Sequence, residues 1–270
     1  MGDAPRLHVD DDGAGDAVIV GHGFGGSARN FGSLARALVP RYRVLRFDAR
    51  GHARSAAPPA ADAYTPDAFV ADLGRVLDDA GVATAVVGGL SMGAGIALRF
   101  ALAHRERVRG LVLAAFPAGA DTPGSYASVA APFAAAIETE GLEAAGARWV
   151  WGPSSGLDAQ GAALVRRGFL EHDPRAMAHT LRGVIAVQPA AAALAPALAV
   201  LRVPTLVVVG TRDRTSLAAS RAVAAAIPGA RLVEIADAGH LVNLVRPAEF
   251  NRAVADFLGR CSGAVPAISP

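Results

Sequence analysis

The sequence predicts an α/β protein built on a doubly wound, mostly parallel sheet with a helical cap insertion. Short apolar runs of strand length alternate along the chain with segments of helical periodicity. The runs are continuously apolar, which is typical of parallel strands that helices bury on both faces. The alternation stops between residues 118 and 200, where the chain is alanine-rich and helical in pattern. A layered sheet carrying one inserted helical segment is therefore expected.

The core elements follow from these runs in chain order. Strands are predicted at 17–21, 43–48, 84–90, 109–116, 204–210 and 230–236. Helices are predicted at 28–39, 66–80, 92–105, 216–227 and 247–259. Thr65 followed by Pro66 marks one helix start, since threonine caps helices and proline suits the first helical position.

The predicted domains are a core of residues 1–117 and 201–262, a helical cap of residues 118–200 and a flexible tail of residues 263–270. Cap helices are expected near 125–150, 158–171 and 174–187, the last one capped by Asp173 before Pro174. The chain leaves the sheet after the strand 109–116 and re-enters it at the strand 204–210, so the inserted cap should cover one end of the sheet.

Composition excludes several classes of function. All 26 basic residues other than histidine are arginines, so a Schiff-base lysine and a P-loop lysine are both impossible. The net charge is +2 and the arginines are scattered, which argues against a nucleic-acid partner. No apolar run approaches a membrane span, and the acidic N-terminus is unlike a signal peptide, so a cytoplasmic location is expected. The single cysteine, Cys261, is placed in the polar tail.

The glycine-rich stretch "GHGFGG" (21–26) has two interpretations. It fits G-x-G-x-x-G between a strand and a helix, and Asp48 ends the next strand, as in dinucleotide-binding proteins. However, His22 and Phe24 add bulk where phosphates would approach, and Asp48 begins the polar turn "DARGHARS". A nucleotide site would also leave the later motifs without a role, so it is disfavoured.

The stretch "GLSMG" (89–93) matches G-x-S-x-G. In this motif the serine occupies a sharp strand-to-helix turn whose flanking residues must be small. Gly89 and Gly93 provide that room, and an apolar strand and an amphipathic helix flank the motif as required. Ser91 is therefore a candidate nucleophile, although a small residue in a tight turn is the alternative explanation.

A serine nucleophile needs a base and an acid. His240, in "ADAGHLVNL", follows the last strand, so it should share the carboxyl edge of the sheet with Ser91. Asp213 follows the strand "PTLVVVG" at the same edge, and Asp121, after the preceding strand, is the alternative acid. The order Ser91, Asp213, His240 is one of the known orders of a Ser-His-Asp triad.

Together, "GHGFGGSARNF", "RFDARGHARS", "GGLSMGAG" and the segment from "VPTLVVVGTRD" to "ADAGHLVNLVRPAEFNRAVADFL" resemble the α/β-hydrolase family over nearly the full chain. The resemblance implies that the N–H groups of Phe24 and Met92 form an oxyanion hole and that His22 shapes its loop. Ala53 and Ala94 stand where the family usually has glycine, and the short N-terminus suggests that an antiparallel edge strand is missing.

The resemblance implies a serine hydrolase that needs no cofactor and no metal and acts on a small carboxylic ester or lactone, similar to carboxylesterases and 3-oxoadipate enol-lactonase. The same triad serves cofactor-free haloperoxidases or perhydrolases and C–C bond hydrolases, and a receptor that binds without turnover is a further alternative. No membrane partner is expected, and the oligomeric state stays open. Aromatic cap residues are candidates for the pocket wall: Phe133, Trp149 and Trp151, with Tyr126, Phe169 and Met177 as further candidates.

Overall fold

The computed structural model describes residues 4–152, 155 and 157–261, and these form a seven-stranded sheet flanked by helices. The order of the strands is β1-β3-β2-β4-β5-β6-β7, and only β1 runs antiparallel to its neighbour. The strands are β1 (Val9–Asp12), β2 (Asp16–Gly21), β3 (Tyr42–Phe47), β4 (Ala85–Leu90), β5 (Val108–Ala114), β6 (Thr205–Gly210) and β7 (Arg231–Ile235). The doubly wound, mostly parallel sheet is confirmed, and the short N-terminus contributes the antiparallel edge strand β1.

Helices cover both faces of the sheet, which explains why the strands read as continuous apolar runs. All residues of β4 and β6 are buried, because alternate side chains enter two separate cores. Val87 packs in the core with Phe100, whereas Val86 packs in the other core with Phe250. The helices of the sheet layers are α1 (Gly32–Leu38), α2 (Pro66–Asp79), α3 (Met92–Ala103), α8 (Leu217–Ala226), α9 (Val242–Val245) and α10 (Pro247–Cys261).

Local sequence signals set several helix ends. The Thr65 hydroxyl accepts from the N–H of Ala68 at 3.2 Å and Pro66 begins α2, as predicted. The last helix runs further than predicted and includes Cys261, which is buried and reaches the space beside Gly110. The placement of Cys261 in a polar tail is therefore wrong, because this residue completes the apolar face of α10. The predicted tail, residues 263–270, lies outside the described residues.

The segment between β5 and β6 is helical, and no strand occurs in its described residues. Gly141, with φ of 85°, interrupts the first of these helices. Asp173 accepts from the N–H groups of Arg175 and Ala176 and so caps the helix that begins at Pro174, as predicted. The last of them, at 191–199, was not predicted. The cap helices are α4 (Tyr126–Trp149), α5 (Ala159–Phe169), α6 (Pro174–Thr180), which continues into a π-helical turn (Leu181–Ile185), and α7 (Ala191–Ala199).

Within the described residues, none of the helices combines the length and the hydrophobicity that crossing a lipid bilayer requires.

Candidate active site

Ser91 sits on a strained turn between β4 and α3. Its φ of 53° and ψ of −112° are unfavourable for a residue with a side chain, and α3 begins at the next residue. The surrounding backbone is close: a Cβ on Gly93 would lie 2.1 Å from the carbonyl oxygen of Gly21, and one on Gly89 would lie 2.5 Å from the carbonyl carbon of Gly93. Glycine is therefore required at both positions, as the sequence predicts.

His240 and Asp213 are joined directly. His240 Nδ1 lies 2.9 Å from Asp213 Oδ2. The side chain of Asp213 is almost fully buried, and that burial by itself raises its pKa. The charge and hydrogen bond of His240, with further hydrogen bonds from Thr215 and Ser216, outweigh burial and hold the pKa of Asp213 at about 2. Asp213 is thus a carboxylate at neutral pH, and it orients the imidazole so that Nδ1 carries a proton.

Asp121, the alternative acid, lies apart from this pair. It is exposed, and the hydrogen bonds of the described residues connect His240 to Asp213 and not to Asp121. The contact with His240 is thus made by Asp213, the acid that the sequence favours, and not by the alternative Asp121.

Two polar neighbours that the sequence reasoning did not identify complete the surroundings of Asp213. Thr215 donates to Asp213 Oδ1 from its hydroxyl at 2.7 Å and from its N–H at 3.1 Å. Ser216 donates its N–H to the same oxygen at 3.1 Å, and its Oγ lies 3.3 Å from His240 Nδ1. The signal in the sequence is the polar run "DRTS" (213–216), in which the sequence predicts a role only for Asp213 and a helix start at Ser216.

The first glycine-rich loop, residues 22–27, lies beside Ser91. The N–H of Gly93 donates to the carbonyl of His22 at 3.1 Å, and a Cβ on Gly23 would lie 3.5 Å from Ser91 Cβ. The N–H groups of Phe24 and Met92 donate to no other backbone carbonyl in the part of the chain that the structure describes. Both N–H groups therefore stay candidates for the oxyanion hole that the sequence resemblance implies.

The buried residues behind this loop hold its shape. His22 Nε2 accepts from the N–H of Ala49 at 2.9 Å, so its proton is on Nδ1, which donates to the carbonyl of Gly23 at 2.8 Å. Burial lowers the pKa of His22 to about 4, and the ring is neutral at pH 7. Asp48 is fully buried and accepts from the N–H of Ala28 and the guanidinium of Arg54. A carboxylate engaged in this way is unavailable to a nucleotide ribose, which explains Asp48 without a dinucleotide.

A cavity of about 90 Å³ opens between the sheet edge and the cap, and both Ser91 and His240 line it. Among the predicted aromatic wall residues, Tyr126 lines the cavity, whereas Phe133, Trp149 and Trp151 do not. They form a layer behind the wall, in which Phe133 is fully buried, stacks on Trp149 at 4.9 Å and contacts the ring of Phe24 at 5.6 Å. The cap residues that line the cavity are Tyr126, Ala127, Val150, Ser155, Leu157, Leu164, Val165, Gly168, Ile185 and Gln188.

Comparison with known proteins agrees with this fold. The chain matches the model of the alpha/beta hydrolase family over residues 17–253. It is 30% identical over 268 residues to a protein of Bacillus subtilis, provisionally named as a 2-succinyl-6-hydroxy-2,4-cyclohexadiene-1-carboxylate synthase, with 96% of each chain covered.

Two solved structures are also similar over most of their length. A thermophilic esterase from Thermogutta terrifontis has a TM-score of 0.84 at 28% identity, with 95% of this chain and 94% of that chain covered. The enol-lactonase from Burkholderia xenovorans LB400 has a TM-score of 0.83 at 29% identity, with 94% and 97% covered. The chain belongs to the α/β-hydrolase family and is a hydrolase that resembles esterase and lactonase members of it.

Proposed function

We propose that the protein hydrolyses a small carboxylic ester or lactone through an acyl-enzyme on Ser91. The observation that carries this proposal is the 2.9 Å contact between His240 Nδ1 and Asp213 Oδ2, with His240 and Ser91 on one cavity. The buried carboxylate keeps the Nδ1–H tautomer in place, which leaves the Nε2 lone pair of His240 to act as a base.

In the first step Ser91 Oγ attacks the carbonyl carbon while His240 Nε2 takes the hydroxyl proton. The N–H groups of Phe24 and Met92 donate to the oxygen that becomes negative, and each such donor contributes about 10²–10³-fold to kcat in enzymes of this kind. His240 then returns the proton to the leaving alkoxide, which departs as an alcohol or, for a lactone, stays attached to the acyl chain. Water, deprotonated by His240, attacks the acyl-enzyme and releases the acid.

The cavity supports a small substrate of modest polarity. Its wall combines apolar side chains such as Val150, Leu157 and Ile185 with the carboxamides of Gln188 and Asn243. These carboxamides donate to the carbonyls of Val184 and Asn30, at 3.1 and 3.0 Å. Their remaining polar atoms suit a substrate ether, hydroxyl or carbonyl group. The similar solved structures are those of an esterase and an enol-lactonase, and this similarity is the basis for preferring an ester or a lactone as the substrate.

The test combines active-site labelling with turnover. A fluorophosphonate probe is expected to label Ser91, and Ser91→Ala is expected to lose both labelling and hydrolysis of p-nitrophenyl acetate. Ser128→Ala is the matched control, because Ser128 is an exposed serine on α4 away from the cavity. Labelling that survives in Ser91→Ala would show that the nucleophile is misassigned.

A panel of esters of increasing acyl length and of lactones, each with the Ser91→Ala control, then identifies the acyl group. Ser91 that is labelled by the probe while no ester or lactone is turned over would contradict the esterase proposal and favour a receptor on the same fold. The esterase proposal would also be contradicted if Ser91 cleaved a C–C bond substrate, or catalysed perhydrolysis, faster than it hydrolyses any ester or lactone of the panel.

A further inference from the structure

A short segment of the cap contacts the loop that carries the Phe24 N–H. We call residues 22–27 the oxyanion loop and residues 169–172, "FLEH", the cap clamp. The cap clamp lies between the end of α5 and the start of α6. Phe169, Glu171 and His172 each contact the oxyanion loop or the residues that follow it, so they connect the cap to the proposed oxyanion hole.

His172 makes two hydrogen bonds that a neutral imidazole cannot make together. Its Nδ1 lies 2.9 Å from the carbonyl oxygen of Phe169, and its Nε2 lies 3.1 Å from the carbonyl oxygen of Gly26. A carbonyl oxygen only accepts hydrogen bonds, so each ring nitrogen must carry a proton. A neutral ring would turn a lone pair toward one of the two oxygens. The geometry therefore fits the imidazolium form, although the residue is only 5% exposed.

The bond to Gly26 holds the turn that presents the Phe24 N–H. The N–H of Gly26 donates to the carbonyl of Gly23 at 3.0 Å, so Phe24 and Gly25 are the central residues of a β-turn. Gly25 has a φ of 69°, as the third residue of a type II turn requires. His172 fixes the outer end of this turn through Gly26, and the orientation of the Phe24 peptide depends on the same turn.

Two further contacts of the cap clamp act on neighbouring positions. The ring of Phe169 fills the space beside Gly25, where a Cβ would lie 2.5 Å from its Cδ2. Glu171 forms an ion pair with Arg29, which follows the oxyanion loop. Two of the four cap clamp residues thus contact the turn itself, and a third contacts the residues that follow the loop.

Two other histidines lie in the cluster around His172. His52 lies 5.2 Å from the ring of His172, and His22 lies 5.0 Å from His52. Burial lowers the pKa of His52 well below its usual range and that of His22 to about 4, so both are neutral at pH 7. The charged groups nearby are carboxylates with their own partners: Glu171 with Arg29, Asp48 with Arg54, and Asp173, which caps α6.

The geometry points to His172 as a positioning residue that, in its doubly protonated form, bridges the cap to the oxyanion loop and holds the Phe24 N–H in place for the reaction. Loss of the Nε2 proton would remove the hydrogen bond to Gly26, and the turn would lose that support from the cap. Loss of the Nδ1 proton would remove only the bond to Phe169, which lies within the cap clamp. The role in the reaction rests on the proposed function, whereas the bridge itself is a property of the folded chain.

The direct test is ¹H–¹⁵N NMR of the full chain labelled at its histidines, recorded from pH 5 to 9. Two ring N–H signals from His172 at low pH are expected, with loss of one as pH rises. His172→Gln identifies the signals by their disappearance; if that variant does not fold, contacts with the Phe169 ring identify them. An Nε2 of His172 that carries no proton at any pH would overturn the bridge, because only that N–H reaches Gly26. A single ring N–H throughout the pH range would overturn the doubly protonated form.

The kinetic test follows hydrolysis of p-nitrophenyl acetate over the same pH range. His172→Gln is expected to lower kcat about tenfold with KM within twofold, because the oxyanion donor is used most strongly in the transition state. In the wild type, kcat should fall at the pH where NMR shows His172 losing a proton, and this decrease should be absent in His172→Gln. His179→Gln is the matched control, since His179 lies on α6 and contacts Tyr64 instead.

If His172→Gln lowers both kcat and the free energy of unfolding but leaves the pH profile of kcat unchanged, His172 is only a structural residue and the positioning role is refuted. A wild-type kcat that stays constant while NMR shows the proton leaving would refute it as well. Failure of Ser91 to react at all would instead refute the proposed function, and the NMR result would still decide whether the bridge exists.

Discussion

Replacing Ser91 with glycine is expected to give a more stable protein than replacing it with alanine. Both variants lose the same hydroxyl, so the difference between their free energies of unfolding reports only the effects of the backbone conformation and of the Cβ. At φ of 53° and ψ of −112°, a residue with a Cβ carries about 1–3 kcal/mol of strain, which glycine does not. This sign is the reverse of the one expected inside a helix, where glycine is ordinarily less stable than alanine.

The magnitude follows from three contributions. Removing the buried methyl group of alanine costs about 0.8 kcal/mol, and the added freedom of the unfolded chain costs about 0.8 kcal/mol. Relief of about 2 kcal/mol of strain outweighs both, so Ser91→Gly should exceed Ser91→Ala by about 0.4 kcal/mol. Ala97→Gly is the matched control, because Ala97 is fully buried in α3, the helix that begins directly after Ser91. That change should cost about 1.6 kcal/mol, with nothing to offset it.

The assay is urea unfolding monitored by circular dichroism, with the free energies compared at equal m-values. The change in unfolding free energy from alanine to glycine should then differ by about 2 kcal/mol between the two positions. At position 91 it is the difference between Ser91→Gly and Ser91→Ala, and at position 97 it is the difference between Ala97→Gly and the wild type. Equal costs at positions 91 and 97, within about 0.5 kcal/mol, would show that the turn is unstrained. The reasoning about the tight serine turn would then be refuted, whatever the catalytic results.

Three other outcomes follow from the site. Asp213→Asn should lower kcat about 10⁴-fold if the Ser-His-Asp precedent applies, whereas Asp121→Asn should leave kcat within twofold; steady-state kinetics compares them. The pKa of Asp213 falls from 3.8 to about 2 on folding. The ionised carboxylate therefore stabilises the fold by about 2 kcal/mol above pH 4, and this contribution disappears as pH falls through 2. Acid unfolding of the wild type and of Asp213→Asn measures this contribution. Ala53 has a φ of 43°, so Ala53→Gly should raise the free energy of unfolding by up to about 1 kcal/mol, and unchanged or lower stability would contradict this.

The sheet and the three polar residues at its edge were predictable because their signals are local and strong. A buried parallel strand needs a continuous apolar run, and its carboxyl end fixes where the next polar residue must lie. Ser91, Asp213 and His240 each directly follow such a run or its turn. The sequence favours Asp213 over Asp121, but both residues follow strands that end at the same edge, so the contact between Asp213 and His240 could come only from the structure.

The cap could be recognised as helical, but its cavity-facing residues could not. Aromatic side chains suggested a pocket wall, yet Phe133 and Trp149 stack on each other, since large flat rings gain most when they are buried together. Of the six candidates only Tyr126 lines the cavity, and most of the cap wall is made by smaller residues such as Val150 and Val165. Hydrophobicity predicts that a residue is buried, and it does not distinguish burial in a core from burial at the edge of a cavity. His172 was missed for a similar reason, because its partners are backbone carbonyls that no motif encodes.

The same close approaches of backbone that set the serine turn also set the histidine and aspartate. The N–H of Arg212 donates to the carbonyl of Ala238 at 2.9 Å, and a Cβ on Gly210 would lie 2.2 Å from that carbonyl oxygen. The loop of Asp213 is thus fixed to the loop of His240 by main-chain contacts immediately before each residue. On the other side, Gly93 holds α3 against the end of β2. Glycine at these positions therefore determines the distances between the reacting groups, which explains why small residues cluster around side chains whose chemistry they do not share.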